Sequence, residues 1–375
     1  MRIGYDAKRL YNNFTGLGNY SRTLLMNLAE YFPDNDYFLY TPEIKVNPET
    51  GPFLNDPRYK TVTPKGGCKK LWRASGVKKN LRQDNIGIYH GLSHELPRGI
   101  EKTPVRSVVT IHDVVYLTYP EMFPWSERKI YQSKYKHSCA ASDRIIAISE
   151  STKADLVNAL GVKPEKIEVI YQAMNPAFYQ MQEPDKAWEL VRHYGVPQEF
   201  VLYVGSINRR KNLLGLVKAY GLLPEDLRLP LVVIGDGSSY KQEVMKFAEA
   251  NDLSKYMIMI DSLTTAQAIQ AFYQCARLFV YPSFYEGFGL PVTEALLSRT
   301  PVITSNVSSL PEAGGAGACY IEPDSPEDIA AAISRILTDR EMRENMVETG
   351  YRYALEKFDP AALTARVREL YLSLL

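Results

Sequence analysis

The sequence predicts an α/β protein of two doubly wound domains. Three observations carry that expectation: twelve short apolar, β-branched runs fall into two groups of six, helical patterns alternate with them, and a stretch with three prolines separates the groups. Strands buried on both faces read as continuous apolar runs, and their alternation with helices marks parallel sheets covered on both sides. Two groups of six fit two such sheets better than one closed barrel.

In the first half the runs are 1–6, 37–40, 86–90, 107–112, 144–149 and 166–171. In the second half they are 200–205, 231–235, 257–261, 278–282, 301–305 and 319–321. The stretch 175–199 holds Pro176, Pro184 and Pro197, has no strand-like run, and is read as the linker. The expected domains are therefore 1–180 and 190–358, with a last helix over 360–375 that packs back on the first domain. No repeat or low-complexity tract interrupts this plan.

A chain of 375 residues, 45% of them hydrophobic, can bury more than one core. Lys plus Arg number 44 against 43 acidic residues, a balance that argues against bulk nucleic-acid binding. Cys68, Cys139, Cys275 and Cys319 are too far apart for a CxxC metal or redox pair and fit a reducing compartment. The first strand begins at once, with no leader pattern, and no run of 18 apolar residues occurs. The expectation is a cytoplasmic protein, with attachment to the inner membrane face left open.

In doubly wound sheets, ligands bind beyond the carboxyl ends of strands, and four such places carry distinctive residues. After the 278–282 run comes Ser283-Phe284-Tyr285-Glu286-Gly287-Phe288-Gly289-Leu290-Pro291-Val292-Thr293-Glu294. Gly287 and Gly289 let backbone N–H groups approach an anion, and a helix beginning near Pro291 adds its dipole. Glu286 in the loop and Glu294, expected in the first helical turn, have seven residues between them. A carboxylate accepting two hydroxyl hydrogen bonds suits the vicinal hydroxyls of a ribose. After the 200–205 run comes Ser206-Ile207-Asn208-Arg209-Arg210-Lys211-Asn212, read as the opening of a helix over 211–220. Three adjacent cations there oppose the helix dipole, and an anion such as a leaving diphosphate would relieve them.

His112, at the end of Thr110-Ile111-His112-Asp113, can hydrogen-bond a sugar or move a proton near neutral pH. Thr15-Gly16-Leu17-Gly18-Asn19-Tyr20 places Gly18 between the first strand and first helix; a lone Gly-x-Gly is equally an ordinary turn. Asp34-Asn35-Asp36 is read as a turn rather than a metal motif.

In this order the four sites resemble the retaining glycosyltransferases of family 4, whose GT-B fold sets two Rossmann-like domains facing each other across a cleft. The resemblance spans nearly the whole chain and includes Ile146-Ala147-Ile148-Ser149-Glu150-Ser151 and Val233-Ile234-Gly235-Asp236-Gly237. It implies that Glu294 binds the donor ribose and that Glu286 lies beside the donor sugar. Gly287 and the backbone groups of Phe288, Gly289 and Leu290 would complete that donor loop. It further implies that Arg210 and Lys211 neutralise the diphosphate, that His112 contacts the transferred sugar, and that Gly18 lets the first loop approach the phosphates. Catalytic roles would thus fall to His112, Glu286, Arg210 and Lys211. Many members carry arginine directly after the glycine that ends this strand, where this chain has Ser206; Arg209 or Arg210 would substitute. The family needs no metal and no cofactor beyond its nucleotide-sugar donor. Members sharing Ile111-His112-Asp113 and Arg210-Lys211-Asn212 are often mannosyltransferases of surface polysaccharide assembly, which points to GDP-mannose.

Other readings weigh less. A dinucleotide-dependent dehydrogenase needs a third glycine where Ser21 stands. A sugar-nucleotide 2-epimerase of similar fold would need no acceptor, and a silent sugar-binding protein would turn nothing over. Finally, Lys65, Lys69, Lys70, Arg73, Lys78, Lys79 and Arg82 lie in one stretch without an acidic residue, interleaved with Leu71, Trp72, Val77 and Leu81. A second basic group is Arg128, Lys129, Lys134 and Lys136. Such composition suits an anionic membrane surface and, with the acceptor held by the first half as in the family, a lipid-linked saccharide acceptor.

Overall fold

The computed structural model describes residues 1–237, 239–261, 263 and 265–375. It divides into two units, residues 1–173 with 358–375, and residues 174–357.

The first unit holds a seven-stranded sheet of β1 (Arg2–Asp6), β2 (Asp36–Tyr40), β3 (Tyr59–Val62), β4 (Ile88–Gly91), β5 (Arg106–Ile111), β6 (Arg144–Ala147) and β7 (Ile167–Val169). Their order is β3-β2-β1-β4-β5-β6-β7, all parallel. The second unit holds β8 (Val201–Val204), β9 (Leu231–Ile234), β10 (Met257–Ile260), β11 (Leu278–Tyr281), β12 (Val302–Ser305) and β13 (Ala318–Ile321). Their order is β10-β9-β8-β11-β12-β13, again all parallel. Both units are doubly wound. The strand order reverses between β1 and β4 in the first and between β8 and β11 in the second, and these switch points are where such sheets take ligands.

All twelve expected runs form strands. The thirteenth, β3, is an addition: Tyr-Lys-Thr-Val has one polar residue on each face and sits at the sheet edge, where only Tyr59 is buried. An edge strand paired on one side needs little apolar character, so no apolar run marked it.

The expected linker is largely part of the second unit. A turn at Pro176–Tyr179 places Phe178 against Tyr273, and the helix Pro184–His193 buries Ala187 and Val191. Paired amides lock the stretch down: Gln274 Nε2 donates to the Gln182 carbonyl at 2.8 Å, and the Gln182 N–H donates to Gln274 Oε1 at 3.1 Å. The domain limit therefore falls at 173/174, ahead of the expected 180–190. Prolines at the first helical position, as at Pro184, start helices as readily as they break them.

The helix Pro360–Leu372 belongs to the first unit, burying Leu363, Val367, Leu370 and Tyr371. The Tyr371 hydroxyl meets His90 Nδ1 at 2.6 Å, and His90 Nε2 meets the Thr110 hydroxyl at 2.8 Å. Among the described residues, no helix is long and apolar enough to cross a membrane.

Candidate active site

Beyond β8 the chain does not enter a helix directly. Arg209–Lys211 forms a single 3-10 turn capped by Asn208, whose Oδ1 accepts from the Lys211 N–H at 3.2 Å. The helix proper is Leu213–Leu222, capped by Asn212, whose Oδ1 accepts from the Gly215 N–H at 3.1 Å. The three cations thus precede the helix rather than opening it. Successive side chains on a 3-10 turn diverge by about 120°, so the three cannot share a direction. Arg209 turns out to solvent, 70% exposed, pairing with Glu243 at 2.6 Å. Arg210 and Lys211 turn inward. The Ser206 hydroxyl accepts from Asn208 Nδ2 at 3.1 Å. Of the two candidates for the missing family arginine, Arg210 is the one beside Glu286.

Beyond β11 the loop 282–289 is held by its neighbours. The Phe284 N–H donates to the Arg210 carbonyl at 2.8 Å. The Glu286 N–H donates to Ser308 Oγ at 3.0 Å, and Ser309 Oγ reaches the Glu286 and Phe288 carbonyls at 2.7 and 2.8 Å. Gly289 caps the helix Leu290–Leu297 with φ of 110°, and a Cβ there would stand 2.9 Å from Leu310 Cδ2. Both constraints demand glycine. Because the helix starts at Leu290, Glu294 falls in its second turn, not its first.

The two loops meet at Glu286. Its Oε1 lies 2.8 Å from Arg210 Nη1 and 3.4 Å from Lys211 Nζ. The Tyr281 and Ser283 hydroxyls lie 2.8 and 2.9 Å from the same oxygen. Burial alone would raise the Glu286 carboxyl; Lys211 and Arg210 overrule it and hold the group down to about 2. Burial lowers the Lys211 ammonium, with Glu286 opposing and Arg210 reinforcing that shift. Glu294 behaves oppositely. Burial pushes it up to about 7, against the hydrogen bond that the Tyr273 hydroxyl donates to Oε2 at 3.2 Å and the pull of Lys211. Two basic side chains thus converge on one carboxylate, Glu286, at the switch point.

His112 and Gly18 belong to the first unit. His112 is buried, its Nε2–H donating to the Leu92 carbonyl at 2.9 Å. His94 stacks edge-on 5.1 Å away, and Tyr20, from the helix Gly16–Tyr31, at 4.6 Å. Burial and His94 push the His112 imidazole down to about 3. Near pH 7 it is neutral, with its Nε2 proton committed to Leu92 and Nδ1 left as an acceptor. At Gly18 a Cβ would stand 1.7 Å from the Asn13 carbonyl oxygen, and the Gly18 N–H donates to Asn13 Oδ1 at 2.9 Å. The close approach this glycine permits is that of its own chain.

The basic stretch is also re-sorted. Arg73 is withdrawn into an ion network, 2.6 Å from Glu95 and paired with buried Asp6 at the end of β1. Val77 and Leu81 are core residues. Lys65, Lys69, Lys70, Lys79 and Arg82 stay exposed, as does Leu71. In the second basic group Lys134 pairs with Glu95 at 3.0 Å, while Lys129 lies over the ring of Trp125, which is 67% exposed.

Residues 16–178 match the family model for Glycosyltransferase Family 4, and residues 191–353 that for Glycosyl transferases group 1. The chain is 32% identical over 380 residues to O-antigen chain mannosyltransferase B of Escherichia coli, covering 94% of this chain and 95% of that one. In fold it resembles Anabaena HepE in complex with UDP and glucose, with a TM-score of 0.78 at 16% identity over 100% of both chains. It also resembles WaaG, a glycosyltransferase involved in lipopolysaccharide biosynthesis, with a TM-score of 0.73 at 19% identity over 99% of both. The fold is GT-B. The chain belongs to the glycosyltransferases that join a Family 4 amino-terminal half to a group 1 carboxyl-terminal half.

The unequal carboxylates give a prediction. A carboxyl raised from 4.5 to about 7 in the folded protein destabilises it progressively as pH climbs between those values, and by a constant amount above them. Glu294→Gln has no such penalty. Its unfolding free energy should match wild type near pH 4.5 and exceed it by on the order of 1–2 kcal/mol above pH 7, allowing for partial exposure. Denaturant titrations at several pH values measure this; a pH-independent difference would contradict the assignment.

Proposed function

We propose that the chain is a retaining, metal-independent family 4 transferase that moves mannose from GDP-mannose to a lipid-linked saccharide in surface polysaccharide assembly. The observation that carries the reading is the buried pair Arg210 and Lys211 sharing one carboxylate, Glu286, at the β8/β11 switch point. A site with two basic side chains on one carboxylate, built on two loops tied backbone to backbone, suits a diphosphate leaving group. Glu294 would accept the ribose hydroxyls, and the backbone of Gly287, Phe288, Gly289 and Leu290 would flank the donor. The C1–O bond to the diphosphate breaks, the acceptor oxygen bonds to C1 on the same face, and the acceptor proton passes to the departing phosphate. Arg210 and Lys211 take up the charge that develops on that phosphate. Arg209, turned toward Glu243, has no part in this. His112 would contact the transferred sugar through Nδ1 as a hydrogen-bond acceptor. The mannosyl donor and the polysaccharide setting are supported by the relative named for O-antigen mannosyl transfer. That HepE was solved with UDP and glucose leaves a uridine donor as the alternative to be screened.

Charge stabilisation matters more in the transition state than in the ground state. Screening nucleotide sugars should find one donor consumed only with acceptor, with α-linked product from an α-linked donor by NMR. With that donor, Lys211→Ala should lower kcat at least about tenfold. Normal turnover of the variant at saturating donor would remove the leaving-group role.

The membrane reading rests on the exposed Lys65, Lys69, Lys70, Lys79 and Arg82 around exposed Leu71, and on Trp125 with Lys129. Each cation near an anionic surface contributes about 1 kcal/mol. Wild-type protein should therefore co-sediment with anionic vesicles, less so as salt rises, and Lys69→Glu, Lys70→Glu and Lys79→Glu together should abolish it. Indifference of the wild type to anionic vesicles would end the membrane assignment.

A further inference from the structure

Tyr281 is the last residue of β11, fully buried, and neither charge nor motif spacing singles it out. Its hydroxyl stands between groups of opposite charge. Lys211 Nζ donates to it, and it donates to Glu286 Oε1 at 2.8 Å. The ammonium also lies 4.9 Å from the Tyr281 ring centroid. Gly205, ending the neighbouring strand, leaves the room this needs: a Cβ there would stand 3.3 Å from both Cδ and Nζ of Lys211. The result is a directed chain, ammonium to phenol to carboxylate.

Without donor, Arg210 and Lys211 both pair with the one carboxylate of Glu286. A diphosphate competes with Glu286 for both. A buried carboxylate that loses its cations must follow them, take a proton, or be held by neutral donors. We propose that Tyr281 is a positioning residue of the donor site, fixing Glu286 and aiming the Lys211 ammonium while the cations exchange a carboxylate partner for a diphosphate. The Ser283 hydroxyl, 2.9 Å from the same Oε1, shares the first task, but it meets Arg210 only at its backbone carbonyl, 3.1 Å away. The Tyr281 hydroxyl bridges the Lys211 ammonium and the Glu286 carboxylate.

The proposal rests on the donor site described under Proposed function. Tyr281→Phe keeps the ring, its packing on Tyr203 and Phe279, and its contact with the ammonium, and removes only the hydroxyl. The expected result is a kcat lowered at least about tenfold, donor KM within about threefold, and little change in Tm. In a Lys211→Ala background the same substitution should change kcat by less than about threefold, because groups acting as one unit are not additive. Tyr220→Phe is the control: a buried tyrosine of the same unit whose hydroxyl has no hydrogen-bond partner among the described residues. It should leave both constants alone. Equal losses for Tyr281→Phe in both backgrounds, a loss in KM only, or a variant that does not fold would each overturn the positioning role. A wild type inert toward every donor sinks the donor-site reading and this proposal together; an active wild type with an unaffected Tyr281→Phe sinks only the proposal.

Discussion

Glu286 Oε1 gathers Arg210, Lys211, Tyr281 and Ser283 within 3.4 Å, and much of the second unit is arranged to make that convergence tolerable. Burying two cations against one carboxylate is unfavourable unless the geometry is tight and the remaining hydrogen bonds are met. The neighbouring loops supply both. The Arg210 carbonyl anchors the 282–289 loop, Ser308 and Ser309 hold its far side, and Gly289 makes space where a Cβ would crowd Leu310. The parallel sheet sets the spacing, since β8 and β11 are adjacent and deliver their loops to one edge. A ligand of opposite charge would then meet Arg210 and Lys211 already placed and would have only to displace Glu286 from them.

The two glutamates of the motif are chemically unlike. Glu286, facing cations, stays ionised far below neutrality; Glu294, accepting from the Tyr273 hydroxyl, is pushed up to about 7 by burial. Environments that push two carboxyls apart are a mark of functional sites. Here the division also separates tasks, one carboxylate holding cations and the other left with capacity for hydroxyl groups. The first unit contrasts with this. Its ion network of Asp6, Arg73, Glu95 and Lys134 is balanced in charge, and its histidines His90, His94 and His112 are all pushed down to about 3.

How much of this was legible follows from what each feature depends on. Continuous apolar runs report burial on both faces, so every central strand could be read, whereas β3 at the edge could not. Glu286, Glu294, Arg210 and Lys211 announce themselves by charge beside glycine. Their partners Tyr281, Tyr273, Ser308 and Ser309 do not, because a buried tyrosine in an apolar run looks like core and a serine pair after a strand looks like a turn. The directions of Arg209 and Arg73 are hidden for the complementary reason: charge is visible in sequence, but direction is set by a 3-10 turn in one case and by a distant Asp6 in the other. The linker was misjudged because prolines signal helix starts and chain breaks alike.

The central claim is that Arg210 and Lys211 exchange Glu286 for a diphosphate. A crystal structure of the protein with the nucleoside diphosphate of its preferred donor tests this most directly. The account predicts phosphate oxygens within hydrogen-bond distance of Lys211 Nζ and the Arg210 guanidinium, ribose hydroxyls on Glu294, and Glu286 still held by Tyr281 as its cation contacts lengthen. A nucleotide bound elsewhere, or bound there with both cations still closed on Glu286, would contradict it.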